Sequence, residues 1–208
     1  MLRAAVGRET RRRIIDEATL LFGQLGFRSA SLREIASRCG TSHAALLYHF
    51  PTKEHLLKAV LEHRDELDTA FFPDSDDSPD ETLSALIRVT RHNAETPGLV
   101  ELFTILATAA THADHPARAY FFERYAELRT GLTSAFAQLS AEGRTLPEAT
   151  PRQLANATIA LMDGLQIQWL QDRRSVDMAE ELSAFLHTVV PGWKDPTQNP
   201  SATRTLTP

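Results

Sequence analysis

The sequence lacks most of the features that mark enzymes, membrane proteins and disulfide-bonded proteins. No apolar run reaches the roughly 18–20 residues that cross a membrane, and no secretory signal peptide is recognisable. The single cysteine, Cys39, cannot form an internal disulfide, which favours a reducing cytoplasm. The G-x-S-x-G, H-E-x-x-H, P-loop and dinucleotide-binding motifs are all absent. The sequence therefore predicts a cytoplasmic protein with no enzymatic activity and no cofactor.

No segment alternates apolar and polar residues as a β-strand does, so no sheet is predicted. Helical periodicity recurs instead, and two segments open with a capping residue followed by proline, Ser78-Pro79 and Thr150-Pro151. The pattern predicts an all-α protein of about nine helices. The helices are expected at about 8–25, 31–39, 43–50, 53–72, 80–95, 99–112, 116–140, 151–171 and 177–190.

Charge is divided unevenly along the chain, which carries a net −5 overall. Residues 1–58 hold ten Lys/Arg and five Asp/Glu, a net of +5, so the remaining 150 residues carry −10. A basic segment attracts the phosphate backbone of nucleic acids, whereas an acidic remainder is repelled by it. The distribution predicts a nucleic-acid-binding head on an acidic body.

The clearest local pattern follows the first predicted helix. Ser31 and Glu34 form the S-x-x-E capping box that opens a helix. Gly40 follows where a residue past a helix end often adopts the left-handed conformation. Ser42 then caps a second short helix at 43–50. Two short helices joined by a glycine-containing turn are typical of a DNA-reading helix-turn-helix, although a plain helical hairpin has the same pattern.

The order of motifs in this region resembles a known family. An arginine-rich helix is followed by G-F, S-L-R-E-I-A, C-G-T-S and A-L-L-Y-H-F-P-T-K-E-H-L-L, which resembles the N-terminal domain of TetR-type transcriptional regulators over about residues 8–65. The resemblance implies an all-helical homodimer, in most members a repressor whose C-terminal domain binds a small effector and releases DNA. One position departs from the family, since Leu47 stands where a phosphate-contacting tyrosine is usual. Tyr48 or His49 is expected to take over that contact, unless it is lost.

These observations predict three segments. We expect a DNA-binding domain at 1–52, a helical effector-binding and dimerisation domain at 53–190, and a flexible tail at 191–208, from which Trp193 docks back. The helix at 53–72 joins the first two, and in the resembled family such a helix transmits the effector signal.

The second helix of the helix-turn-helix is expected to meet the operator, a DNA duplex with an inverted repeat. An arginine can form two hydrogen bonds to guanine, and an alanine can pack against the methyl group of thymine. A lysine at a helix N-terminus can bind a phosphate. A salt bridge is the alternative role for Arg33, and Arg11, Arg12 and Arg13 are interpreted as a solvated arm. The expected DNA-binding residues are Arg33, Ser42, His43, Ala44, Ala45, Tyr48, His49 and Lys53.

A small, largely apolar effector is expected to bind inside the body, where ordinary core packing is the alternative for each aromatic residue. The candidate ligand-binding residues are Phe103, Phe121, Tyr125, Met162, Gln166 and Trp169, with Phe122 as a further aromatic and Asn93, Thr104, Thr108 or Asn156 as polar contacts. The helix at 151–171 is apolar over much of its circumference and needs more than one packing partner. Leu161 and Leu165 are therefore expected at a homodimer interface, unless this is the central helix of a monomer.

Two other functions remain open at this point. A helical metal sensor or metalloenzyme could use His112, Asp114 and His115, with His92 nearby, but it would need three or four such ligands to converge. A DNA-binding regulator without any effector would share the head and need no pocket in the body.

Overall fold

The computed structural model describes residues 2–69, 71 and 78–194, with side chains from residue 6 onward. These residues form nine α-helices and no strand, which confirms the predicted all-α class. None of these helices is long and apolar enough to cross a membrane. The helices are α1 (Leu2–Ser29), α2 (Leu32–Arg38), α3 (His43–His49), α4 (Lys53–Thr69), α5 (Pro79–Glu95), α6 (Pro97–Ala109), α7 (Arg118–Ala141), α8 (Pro151–Gln171) and α9 (Met178–Val189).

The predicted caps set several helix starts. The Ser78 hydroxyl accepts a hydrogen bond from the Glu81 amide, and Thr150 forms a complete capping box with Gln153. Helix α1 is longer than predicted because the chain resumes helical geometry after Gly26, whose φ of 75° makes a kink. The acidic sequence PDSDDS at 73–78 predicts a loop, of which residues 73–77 lie outside the described residues, as does the tail from residue 195.

The last described residues confirm one expectation about the tail. Trp193 is buried, and its ring centroid lies 5.0 Å from that of His187 on α9. The segment after α9 therefore packs back on the body as far as residue 194.

One apolar cluster holds the first three helices together and continues into the body. Ile14 and Phe22 of α1 pack with Ile35 of α2 and Leu46 of α3, all fully buried. The first half of α4 joins this cluster, and so does one side of α6. Because the cluster runs without a break from α1 to α7, head and body share a core. Its members from α4 onward are Leu56, Leu57, Ala59, Val60, Leu61, Leu102, Phe103, Leu106, Ala110, Ala117 and Phe121.

Two glycines allow α1 and α6 to cross closely. A Cβ on Gly23 would lie 3.2 Å from the carbonyl oxygen of Gly98, and a Cβ on Gly98 would lie 3.0 Å from the Leu20 side chain. A larger residue at position 23 would press on the α6 backbone, whereas one at position 98 would displace the Leu20 side chain. The crossing forms a second junction between head and body, in addition to α4.

A second apolar cluster fills the far side of the body. It joins α5, α7, α8 and α9, with Leu86, Phe136 and Leu182 among its fully buried residues. Leu165 and Trp169 of α8 belong to this cluster. Helix α8 contacts α6, α7 and α9, so much of its apolar circumference is covered within one subunit.

Candidate functional site

Helix α3 presents one face to the solvent and one to the core. Leu46 and Phe50 are buried beneath it, as their spacing predicts. Tyr48 is 85% exposed on the opposite face. The other candidate DNA contacts on α3 surround Tyr48, with Ala44 exposed and His43, Ala45 and His49 partly so. The predicted residues thus share an accessible surface.

Hydrogen bonds at the helix ends fix the orientation of α3. The Ser42 hydroxyl accepts from the Ala45 amide at 3.0 Å, and Gly40 adopts the left-handed conformation with a φ of 63°. The capping box predicted for α2 is only half formed. The Ser31 hydroxyl accepts from the Arg33 amide at 3.3 Å, but Glu34 pairs with Arg38 at 2.9 Å instead of reaching back. A charge-assisted bond one helical turn away is the stronger partner for that carboxylate.

Two arginines predicted to lie in a solvated arm are structural instead. The Arg13 guanidinium donates to the Cys39 carbonyl oxygen at 2.5 Å, and the Cys39 thiol donates to the Arg13 carbonyl at 3.5 Å. Arg11 lies over the Phe50 ring at 5.1 Å. Only Arg12 stays solvated, beside Glu9 at 4.0 Å. Arg11 and Arg13 therefore fasten α1 to the helix-turn-helix.

The single thiol has a structural environment. Cys39 is buried, and burial raises its pKa, with the charge of Glu17 acting in the same direction. A protonated, inaccessible thiol is a poor nucleophile, so its role here is packing between α1 and α2.

Lys53 joins α4 to the end of α1. Its ammonium donates to the Arg28 carbonyl oxygen at 3.0 Å and lies 4.8 Å from the centre of the Phe27 ring. Burial lowers the pKa of Lys53. An ammonium has three hydrogens, so the bond to Arg28 leaves donors for a phosphate.

Arg33 is exposed on α2, and no described residue forms an ion pair with its guanidinium. The salt bridge considered as its alternative role is therefore not formed within the described residues. Tyr48 packs edge to face with His49 at 5.4 Å between ring centroids, while Leu47 is partly buried. Of the two residues considered as replacements for the usual tyrosine, Tyr48 extends further into solvent.

A cavity of about 930 Å³ lies in the body between α4, α5, α6, α7 and α8. Five of the six predicted ligand-binding residues line it, namely Phe103, Phe121, Tyr125, Met162 and Gln166, together with the predicted polar residues Asn93, Thr104 and Thr108.

Three other sequence candidates lie elsewhere. Trp169 packs in the second apolar cluster on another side of α8, where Arg173 covers its ring at 5.2 Å. Phe122 is 76% exposed on the outer side of α7. Asn156 accepts a hydrogen bond from Arg129 at 2.9 Å and does not line the cavity.

A charged network on the cavity wall was not predicted. Arg124 of α7 donates to Asp65 and, at 2.8 Å, to Asp68, both on α4. Arg64 lies 3.5 Å from Asp68, and the Tyr120 hydroxyl donates to Asp65 at 2.8 Å. Burial lowers the pKa of Arg64 to about 10, and the charge of Arg124 contributes to the shift. The prediction included uncharged polar contacts in the pocket but no charged ones, so this wall is more polar than predicted.

The sequence did contain a signal for this network. Leu57, Leu61, Arg64 and Asp68 are spaced by four, three and four residues, so they lie on one face of α4. Charged residues on the apolar stripe of a helix are buried when the stripe is buried, and both Arg64 and Asp68 are. Their sign and spacing could have placed a paired charge in the body.

Four buried polar atoms on the cavity wall have no hydrogen-bond partner among the described residues. They are Arg64 Nε, Asp68 Oδ1, Asn93 Oδ1 and Thr104 Oγ1. An unsatisfied buried polar group costs about 1–3 kcal/mol, so such groups are rare where packing alone determines a structure. Their concentration on one cavity indicates a site that a polar molecule completes.

Asp163 of α8 adds a carboxyl group to the cavity wall, separate in sequence from Asp65 and Asp68 of α4. It accepts a hydrogen bond from the Tyr125 hydroxyl at 2.9 Å. Burial raises the pKa of Asp163, although the hydrogen bond from Tyr125 opposes the shift. The aromatic rings of Phe103, Phe121 and Tyr125 lie beside these polar groups, with centroids 5.4 Å apart for the first two and 6.4 Å for the last two.

The predicted dimer residues have different environments. Leu161 is partly exposed on α8, whereas Leu165 is only 5% exposed and belongs to the second apolar cluster. Leu165 is therefore covered largely by its own chain, and its place at a dimer surface stays a prediction. Ile167, which is 46% exposed, is the more accessible apolar residue of α8.

The residues considered for metal binding do not converge. Within the described ranges, no group of three or more His, Cys, Asp or Glu side chains is placed to hold a metal ion. His115 is buried against Phe27, and its Nδ1 accepts from the Ala117 amide at 3.2 Å. Asp114 lies 3.4 Å from Arg28. Through these contacts, His115 and Asp114 join the body to the head.

Comparison with known proteins agrees with this arrangement. The pattern of the bacterial regulatory proteins of the tetR family matches residues 14–60. That of the C-terminal domain of BetI-type transcriptional repressors matches residues 70–191. The HTH-type transcriptional regulator TtgW of Pseudomonas putida is 42% identical over 72 residues, 34% of this chain and 54% of TtgW. The chain thus spans about half the length of this curated relative.

Solved structures share the fold over most of the chain. NalD, the secondary repressor of the MexAB-OprM multidrug efflux pump in Pseudomonas aeruginosa, is 24% identical with a TM-score of 0.68, over 90% of this chain and 98% of NalD. AibR, solved in complex with isovaleryl coenzyme A and operator DNA, is 24% identical with a TM-score of 0.69, over 86% of this chain and 99% of AibR. Because the two family patterns together cover most of its length, the chain belongs to the TetR family of bacterial transcriptional regulators and has a C-terminal domain of the BetI type.

Proposed function

We propose that this protein is a homodimeric repressor that binds an inverted-repeat operator and releases it when a small effector enters the cavity of the body. The observation that carries the proposal is the position of α4. Its first residue, Lys53, is bonded to the end of α1, and its last turns supply Arg64, Asp65 and Asp68 to the cavity wall. A molecule in the cavity therefore touches the helix that supports the head.

The head supplies the DNA-binding surface. We assign base contacts to Arg33, His43, Ala44, Ala45 and Tyr48, because a guanidinium, small apolar groups and exposed rings on one face suit the major groove. We assign the phosphate contacts to Ser42, His49 and Lys53, through a hydroxyl, a ring nitrogen and an ammonium. His49 thereby takes the contact usually made by the family's tyrosine, because the more exposed Tyr48 is assigned to the bases. A DNA-bound regulator works beside the chromosome, so we place it in the cytoplasm.

Two subunits are needed for the operator. One helix-turn-helix reads few base pairs, and a two-fold dimer doubles the site. We assign the dimer surface to the solvent face of α8, where Ala157, Ala160 and Leu161 offer small and apolar contacts. We retain the division into a head at 1–52 and an effector and dimerisation domain at 53–190.

The cavity favours an effector-controlled protein over a regulator without an effector. A body that served only to dimerise would have no need of unpartnered polar atoms inside, because closing the space over them is less costly. The AibR complex holds both a small molecule and operator DNA, which agrees with two binding activities in one fold.

Selection from random DNA duplexes tests the DNA-binding half of the proposal. We expect an inverted repeat whose half-site centres are about one helical turn or slightly more apart. Recovery of duplexes with no shared sequence at moderate salt would contradict sequence-specific binding.

Titration of the protein with effector, with and without operator DNA, tests the proposal that the effector releases the operator. Effector and operator compete through α4, so a saturating effector should lower operator affinity by about 1–3 kcal/mol, and operator should weaken effector binding by the same factor. A molecule that fills the cavity and leaves operator affinity unchanged would show that the protein is not released by its ligand.

A further inference from the structure

The charges that line the cavity do not balance. Among its described lining residues, Arg64 and Arg124 are the cations. Both are occupied by the α4 carboxylates Asp65 and Asp68. The remaining lining acids form no ion pair within the described residues. Glu123 and Glu127 are exposed to solvent, whereas Asp163 is partly buried and lies within the electrostatic influence of Arg64 and Arg124. The lining therefore carries three more carboxyl groups than guanidinium groups, one of them partly buried.

The unpartnered buried atoms are mostly acceptors. Asn93 is 3% exposed and its side-chain oxygen has no donor. Asp68 is 4% exposed, and although its Oδ2 is paired with Arg64 and Arg124, its Oδ1 has no donor. The Thr104 hydroxyl can also accept. A buried acceptor is satisfied only by a molecule that brings N–H or O–H groups, and a carboxylate acceptor is satisfied best by a charged donor.

Aromatic rings occupy the space next to these acceptors. Phe103, Tyr120 and Phe121 form edge-to-face pairs with ring centroids 5.1 to 6.2 Å apart. Arg64 and Arg124 already lie over the Phe103 ring, at 3.3 and 5.4 Å from its centroid, so this cluster supplies an apolar surface for a ligand frame and not a free cation site. An anionic ligand would meet the excess carboxylates, which repel it.

We infer that the cavity takes an organic ammonium ion that carries N–H donors on an aromatic or aliphatic frame. Its N–H groups bond to Asp68 and Asn93, its charge offsets the unpaired carboxylates, and its apolar frame lies against the ring cluster. This assignment rests on the proposed role of the cavity as the effector site and adds the chemical class of the effector. Donation of N–H groups separates this class from quaternary ammonium ions, which have none.

A matched set of probes tests the ligand class with the full-length protein. The probes are phenylbutylamine, its N-trimethyl analogue, the neutral phenylbutanol and phenylbutyrate, and binding is measured by calorimetry and by the shift in Tm. We expect the primary amine to bind about tenfold or more tightly than the trimethyl analogue, the loss expected for one charged hydrogen bond. Phenylbutyrate should not bind. Equal or tighter binding by the trimethyl analogue, the alcohol or the carboxylate would overturn the inference, as would no binding by the amine at millimolar concentration.

Two variants locate the amine. Asn93→Leu replaces an unpartnered acceptor by an apolar group of the same branched shape, so the ligand-free Tm should stay the same or rise while amine affinity falls about tenfold. Asp163→Asn removes one unpaired carboxyl group and should also weaken the amine but not phenylbutanol. Glu180→Gln, an exposed change on α9 outside the cavity, is the matched control. If both cavity variants bind the amine as the control does, the site is elsewhere and the inference fails.

Failure of this inference can be told apart from failure of the proposed function. An amine that binds in the cavity without weakening operator binding keeps the ligand class and removes effector control. A carboxylate that binds there and releases operator keeps effector control and removes the ligand class.

Discussion

The ammonium nitrogen of Lys53 lies 3.0 Å from the carbonyl oxygen of Arg28, so the first turn of α4 is bonded to the last turn of α1. The same helix ends among the buried charges of the cavity, where Asp68 accepts from Arg124 at 2.8 Å. A change in the tilt of α4 would therefore alter both the bond to α1 and the contacts of Asp68 in the cavity. In a two-fold dimer, that tilt sets the distance between the two recognition helices.

Lys53→Ala should weaken two properties at once. Loss of the bond to Arg28 and of the contact with Phe27 should lower the free energy of unfolding by about 1–2 kcal/mol. Affinity should fall alike for all duplexes, and the slope of log K against log salt should decrease by about one charge. Lys58→Ala is the control, since Lys58 is exposed and paired only with Glu62. A change in base preference for Lys53→Ala would contradict a phosphate contact.

Arg33→Ala should change specificity. Because its guanidinium is exposed and assigned to a base edge, its loss should relax preference at one base pair in each half-site by about 1–3 kcal/mol. Arg38→Ala on the same helix should spare that preference, since Arg38 is paired with Glu34. Both are measured on a panel of single-base operator variants. An even loss across the panel for Arg33→Ala would make it a backbone contact.

Arg13→Ala should destabilise the head. The buried Cys39 carbonyl would lose its guanidinium donor, which costs about 1–3 kcal/mol. Arg12→Ala should have little effect, because Arg12 makes only an exposed contact with Glu9. Thermal unfolding of both variants measures the difference. Equal Tm values would show that the Arg13 contact contributes nothing to stability.

Two leucines on α8 should respond differently to a charge. Leu161→Glu lies on a partly exposed surface and should give a folded monomer if that surface joins the subunits. Leu165→Glu places an unpaired charge in the second apolar cluster and should unfold the body whatever the oligomeric state. Sedimentation with circular dichroism separates the two outcomes. A folded, still dimeric Leu161→Glu protein would move the interface away from this part of α8.

His115 should make the junction between body and head sensitive to acid. Burial lowers its pKa below the ordinary 6.5, and the nearby charge of Arg28 acts in the same direction, opposed by Asp114. The unfolded chain therefore binds a proton that the folded protein resists. Stability from this group is complete above pH 6.5 and is lost as the pH falls below it.

Comparison with His115→Gln isolates that effect. The difference in Tm between the native protein and the variant should shrink from about pH 8 to pH 5, because only the native protein loses stability through this residue. A constant difference over the range would show that His115 does not titrate in that window.

The sequence predicted the head well because its signals are local. Ser42, Gly40 and the pair Leu46 and Phe50 act within a few residues of each other, and the structure places each as predicted. Trp169 was assigned to the cavity although it packs in the second cluster, since a helix apolar on several sides does not show which neighbour each side meets.

Contacts between distant segments were beyond the sequence. Arg13 and Cys39 are 26 residues apart, and Asp68 and Arg124 are 56 apart. The spacing of Arg64 and Asp68 on α4 could have indicated a buried charge pair, but nothing in the sequence identifies Arg124 as the partner on α7 or Cys39 as the partner of Arg13. The boundary between head and body was predicted from charge and motif positions. These do not show that the two parts share one apolar core.

The crossing of Gly23 and Gly98 limits how this protein could be rebuilt. A hybrid regulator would join the head of one protein to the body of another. Here the underside of the head is formed by Leu102 and Leu106 of α6 as well as by its own helices. A hybrid joined near residue 52 would place α1 against an α6 from another protein. A side chain at position 23 would press on the α6 backbone, and one at position 98 would displace the Leu20 side chain. Transfer of the head should therefore carry α6, or at least both glycines, along with it.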